Sequence, residues 1–150
     1  CDVYTTDASG LAATRATFEN PGDHVLLPEI ISKEPLGPLV RHGDNEWADV
    51  ARWTLNALIA AEELGVTSAN IAEMASGTDN PEINRLLGSE GELGAMLGLE
   101  SDWAMKAIMA GGNYGELFEK NIGENTPIGL ARGLNALWTD GGLVYTPPFR

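Results

Sequence analysis

Apolar and polar positions alternate in two different ways along this chain. Over residues 44–64 they repeat at helical spacing, with Trp47, Val50, Ala51, Thr54, Leu58 and Ala61 on one stripe and Asp49, Arg52, Asn56 and Glu63 opposite. A long helix is predicted there, capped by Asp44, favoured by Glu46 in its first turn and stopped at Gly65. Trp53 falls on the shoulder of the stripe and reads either as a contact to a second surface or as a half-buried aromatic at the core's edge. Elsewhere the apolar runs are short. Cys1–Thr5, His24–Leu27 and Gly37–Arg41 have the β-branched and aromatic character of strands, bounded by polar residues, glycine or proline. A helix from about Ser9 to Glu19 separates the first two, giving a β-α-β order whose crossover should be right-handed.

From Ile30 the chain passes Pro35 and Pro38, whose fixed φ and missing donors favour an extended path, so this segment reads as a crossing between two bodies or as a proline-rich connection. Shorter helices are predicted after residue 66. They run from Thr67 or Ser68 to about Ser76, from Asn80-Pro81 to Gly88, from Ser101 to Gly111 and from Asn113 to Gly123. A last amphipathic turn carries Leu130, Leu134, Leu137 and Trp138, and Leu143 to Arg150 is an extended tail. Glycines at 88, 91, 94 and 98 invite a phosphate-loop reading, which fails on spacing, on the lack of a Lys-Ser or Lys-Thr pair and on the intervening Glu90 and Glu92. Glu62 and Glu63 read as a solvated helix end.

Composition narrows the function. Of 150 residues 43% are hydrophobic and 21% charged, enough for one core and against disorder. A formal charge of −13 repels phosphate backbones and anionic lipid, which argues against a nucleic-acid or membrane-surface partner. Cys1 is the one cysteine, so no internal disulfide is available. It reads as strand interior rather than as a lipid anchor. No apolar run approaches the roughly 20 residues that span a bilayer. His24 and His42 are isolated, without HExxH, paired cysteines or GxSxG, so neither a metal site, a cofactor nor a catalytic residue is expected.

The stretch with most promise is Thr5-Thr6-Asp7-Ala8-Ser9-Gly10. Asp7 stands where a strand gives way to a helix, and it reads in two ways. It can cap the helix, or it can receive a ligand's ammonium group, because small molecules bind outside the carboxyl ends of strands in open α/β sheets.

This run, with Ile31–Arg41, Asp44–Leu64, Gly112-Asn-Tyr-Gly115 and the long ending from Arg132 to Arg150, resembles the general L-amino-acid-binding proteins of bacterial polar amino acid ABC transporters. The resemblance covers essentially the whole chain but only the later part of such a receptor. It implies an α/β fold of the periplasmic-binding-protein-like type II, present in part. Residues 1–30 would end ligand-binding lobe 2, residues 31–36 would form a hinge crossing, and residues 37–150 would be the C-terminal part of lobe 1 with a helical extension. It also implies that Asp7 receives the α-ammonium of an L-amino acid, with Thr6 and Thr5 as assisting hydroxyls. The arginine that clamps the α-carboxylate belongs to the family's N-terminal portion, so that role passes to none of Arg15, Arg41, Arg52, Arg85, Arg132 or Arg150. A periplasmic location, a signal peptide in the precursor and a membrane permease as partner follow from the same resemblance. An unpartnered face around Trp47, Leu58 and Ala61 would expose a large apolar patch. The chain is therefore expected to be completed by an N-terminal half, as a second polypeptide or a missing segment, with a self-swapped dimer as the next choice. Two other readings stay open: an enzyme on the same fold, such as a periplasmic cyclohexadienyl dehydratase, and a helical interaction module with no small-molecule ligand.

Overall fold

A computed structural model describes residues 2–33 and 35–149. Cys1, Glu34 and Arg150 lie outside the described residues, as does any reading that rests on them. The chain divides into two compact units, Cys1–Gly37 with Phe118–Arg132, and Pro38–Leu117 with Gly133–Arg150.

The second unit holds the core. Helix α2 (Asn45–Glu63) begins as predicted, where the Trp47 N–H donates to the Asp44 carboxylate at 3.1 Å, and it ends as Val66 N–H reaches the Ala61 carbonyl at 2.7 Å past Gly65. Its buried face differs from the predicted stripe. Ala57, Ala60 and Ala61 are buried, with Trp53, Leu58 and Leu64 partly so, whereas Trp47 is 58% exposed. At roughly 100° per residue this face lies about a quarter turn from the one centred on Trp47 and Leu58. Small alanines let neighbouring helices approach closely, and that outweighs the larger but scattered residues of the predicted stripe. Of the expected apolar patch at Trp47, Leu58 and Ala61, Ala61 is wholly buried and Leu58 partly buried within this unit, while Trp47 stays exposed.

Against α2 pack α4 (Pro81–Leu87) and α6 (Trp103–Gly111), and α3 (Ile71–Ala75) packs on both of these; together they contribute Ile71, Ile83, Leu86, Leu87, Trp103, Ala104 and Ile108. Helix α4 starts where the sequence places it, Asn80 Oδ1 accepting from Glu82 N–H at 2.9 Å with Pro81 in the first turn. Gly88 ends it in the left-handed region at φ +80°, and a Cβ there would collide with the Ser101 carbonyl. Gly94, in the short helix α5 (Leu93–Met96), is pressed in the same way against the Glu100 carbonyl. These glycines serve close backbone packing, not phosphate binding.

Helix α7 (Tyr114–Asn121) opens with a reciprocal cap: Asn113 Oδ1 accepts from Glu116 N–H at 2.9 Å, and Glu116 accepts from Asn113 N–H at 2.8 Å. The same carboxylate takes the Ser68 hydroxyl at 2.6 Å, and the buried Asn113 amide donates to the Val66 carbonyl at 2.9 Å. A segment 48 residues upstream is thereby tied to the helix start. The tail closes the unit. Phe149 is buried edge-on to Trp53 at 5.4 Å between ring centres, and Arg85 Nε donates to its carbonyl at 3.1 Å. Glu63 accepts from the Thr146 N–H and the Trp138 indole, so it anchors the tail and is not the solvated end that its sequence suggests.

The first unit is organised differently. Helix α1 (Ala8–Ala16) stops three residues short of Glu19, because the Thr17 hydroxyl and N–H both turn back to the Thr14 carbonyl, at 2.7 and 3.0 Å. The Phe18 and His24 rings meet at 4.4 Å just beyond. The three predicted strands form no ladder among the described residues. Val3 is 79% exposed, Ile31 83% and, across the unit boundary, Leu39 99%. Strand residues need a partner strand for their backbone groups, and among the described residues pairing is limited to two isolated parallel bridges, Gly123 with Leu130 in this unit and Leu137 with Val144 in the second.

Candidate functional site

Asp7 is held from behind by its own turn. Its Oδ2 accepts the Ser9 hydroxyl at 2.7 Å and the Gly10 N–H at 2.8 Å, and its Oδ1 accepts the Thr6 hydroxyl at 3.2 Å. The Asp7 carbonyl meanwhile takes the Leu11 N–H at 2.9 Å, starting α1. A Cβ at Gly10 would press on both carboxylate oxygens, at 3.1 and 3.2 Å, and would make the carboxylate shift by a few tenths of an ångström. The Ser9 hydroxyl, then the Gly10 N–H, hold the Asp7 carboxyl below the usual carboxylate range against a weak opposing effect of burial. All three donors are neutral, and Asp7 enters no ion pair among the described residues. The result is a half-buried, oriented anion whose charge is open to a cation.

Of the three residues singled out in the sequence, the structure brings Thr6 and Asp7 together. Thr5 stands exposed and makes no hydrogen bond among the described residues. Ser9 and Gly10 were missed as anchors. The spacing Asp-x-Ser-Gly carries the signal for them, because a helix N-terminus offers its first donors to a side chain two or three residues back.

Three of the arginines are engaged elsewhere. Arg52 lies 3.7 Å from Asp49, Arg85 holds the tail, and the Arg132 guanidinium covers the Phe118 ring at 5.1 Å. Residues 41–46 line an open depression of about 560 Å³ at the start of α2, which contains none of the predicted site residues. Among the described residues no group of three or more His, Cys, Asp and Glu side chains is placed to hold a metal ion. No helix among them is long and apolar enough to cross a membrane.

No protein-family model matches the sequence. Over all 150 residues the chain is 67% identical to the glutamate/glutamine/aspartate/asparagine-binding protein BztA of Rhodobacter capsulatus, of which it covers 44%. It is 58% identical to the general L-amino acid-binding periplasmic protein AapJ of Rhizobium johnstonii, again covering 44% of that protein. Along its whole length the chain is thus similar to amino-acid-binding proteins of ABC transporters. It corresponds to the C-terminal portion of such a protein and spans less than half the length of these relatives. In three dimensions it is similar to an ABC transporter periplasmic binding protein from Brucella ovis with glutathione bound, with a TM-score of 0.92 and 58% identity, over 98% of this chain and 46% of the other. The fold is accordingly a helix-rich part of the periplasmic-binding-protein fold.

Proposed function

We propose that this chain is part of the solute-binding component of an ABC transporter. It takes up L-amino acids between two lobes in the periplasm, closes about a hinge and delivers them to a membrane permease, without covalent chemistry. The observation that carries this reading is the 67% identity along the entire chain to a binding protein for glutamate, glutamine, aspartate and asparagine. Acidic amino acids, their amides and glutathione are the ligands that the relatives' names bring to it.

Within that reading Asp7 receives the α-ammonium, Thr6 steadies the carboxylate, and Thr5 is free to meet the ligand directly. The charge of Asp7, anchored by neutral donors alone, supports the role, since an ammonium-to-carboxylate bond dried by closure is stronger than a neutral one. Residues 1–30 belong to lobe 2, residues 31–36 cross between lobes, and residues 37–150 complete lobe 1. The division of compact units at Gly37 and Pro38 supports such a crossing, while Phe118–Arg132 groups with the first unit. The exposed apolar runs around Val3, Val25 and Ile31 pair as strands with the N-terminal portion of the receptor.

Calorimetric titration of the full-length receptor with L-glutamate, L-glutamine and L-leucine tests the proposal. Saturable binding of one ligand per receptor, with the amino acid recovered unchanged, is expected. Turnover of prephenate or arogenate would replace it with an enzyme, and a receptor that no amino acid stabilises would leave an interaction module.

A further inference from the structure

Proteins similar to this chain bind ligands of very different length, from aspartate to the tripeptide glutathione. Those ligands share one chemical feature. Glutathione joins its glutamate through the side-chain carboxyl, so that residue keeps a free α-ammonium and a free α-carboxylate, as in glutamine, and its far end is an N-substituted amide. A site that reads the α-amino-acid head and leaves the side-chain end open accommodates all of them.

The geometry around Asp7 fits a reader of the head. Its carboxylate is fixed by Thr6, Ser9 and Gly10, all neutral, so its charge is reserved for a cation of the ligand. No Lys or Arg occurs before Arg15 in this stretch, so nothing on it demands a negative charge at the ligand's other end. Acid, amide and substituted amide are then equivalent to this part of the site.

We propose that the receptor containing this chain takes γ-glutamyl amides as a class, including γ-glutamyl peptides, in the same site and by the same Asp7 contact as glutamate and glutamine. This rests on the amino-acid-binding reading given above. Peptides in which glutamate is linked through its α-carboxyl are excluded, because their first residue has lost the α-carboxylate. A site built to bond a charged group rejects an analogue without it strongly, here by about 100-fold or more.

The test is competitive titration of the full-length receptor with L-glutamine, γ-L-glutamylmethylamide, glutathione and the α-linked isomer of glutathione, repeated on Asp7→Asn. The three ligands with a free head should displace one another, each should weaken by about 30-fold or more in the variant, and the α-linked isomer should not compete. If glutamine binds but neither γ-glutamyl compound displaces it, the class inference falls and the amino-acid reading stands. Equal affinity for the α-linked isomer, glutathione binding that Asp7→Asn leaves unchanged, or glutathione binding at crystal concentration only would each overturn the inference as well. If glutamine and glutamate themselves fail to bind, the amino-acid reading falls first and takes the inference with it.

Discussion

Helix α6 and the extended run at Ile30–Ile31 are both rich in apolar residues, yet one is sealed in a core and the other lies open. The difference is in where each finds partners for its backbone. A helix closes its hydrogen bonds within itself and then needs only one apolar face covered, which α2, α3 and α4 do for α6. An extended run must borrow another strand, and among the described residues none is offered to Ile31. Apolar content alone therefore does not decide burial; the range of the required partner does.

Substitutions can break or sharpen that contrast. Ile108→Ala removes a fully buried side chain from the helical unit and should cost about 2–5 kcal/mol in chemical denaturation. Ile31→Ala should be within about 0.5 kcal/mol in these 150 residues alone, but under the proposed strand pairing should cost nearly as much as Ile108→Ala in the full-length receptor. Equal, small effects of Ile31→Ala in both settings would refute the pairing. Gly88→Ala comes next. It combines a left-handed backbone with a collision at Ser101, so a loss of about 2–4 kcal/mol is expected from thermal melting. Glu116→Ala removes the carboxylate half of the reciprocal cap of α7 and the tie to Ser68, with an expected cost of about 1–2 kcal/mol and earlier amide exchange at Ser68 and Asn113.

The smallest effect is on pH dependence, where two carboxylates of the helical unit act oppositely. Burial pushes the Glu116 carboxyl up, but the Ser68 hydroxyl and the Asn113 and Ser68 N–H groups together hold it below its usual value. Its contribution to stability is present above the unfolded pKa and is lost as pH falls through the lower folded one. Burial raises the Glu63 carboxyl, outweighing its bonds to Thr146 and Trp138, with Glu62 and Glu82 adding repulsion. Its contribution is present below the unfolded pKa and is lost as pH rises through the raised folded one. Denaturation midpoints measured from pH 3 to 7 should thus lose their acid-side fall in Glu116→Gln and flatten on the neutral side in Glu63→Gln.

What could be read from the sequence follows the same division of range. The ends of α2, α4 and α7 were legible, because Asp44, Asn80 and Asn113 satisfy donors three residues or fewer away. The rotation of the α2 face was not, since it depends on which helices approach its alanines. Neither were the Glu116–Ser68 tie and the Glu63–tail contact, each of which joins residues far apart in sequence. At the candidate site the sequence places Asp7 as a possible cap of the helix, which it is, while Ser9, read only as the start of that helix, makes the shortest bond to the carboxylate. The strands show the limit most clearly. Their composition predicts them, but among the described residues they form no ladder.

The central claim is that the Asp7 carboxylate exists for a ligand's ammonium and not merely to cap α1, and Asp7→Asn separates the two. Asparagine caps a helix as well as aspartate does but carries no charge. In the full-length receptor, calorimetry should show affinity for L-glutamate falling by about 30-fold or more while the melting temperature without ligand is unchanged. Undiminished affinity in Asp7→Asn would contradict the account and leave Asp7 as a helix cap.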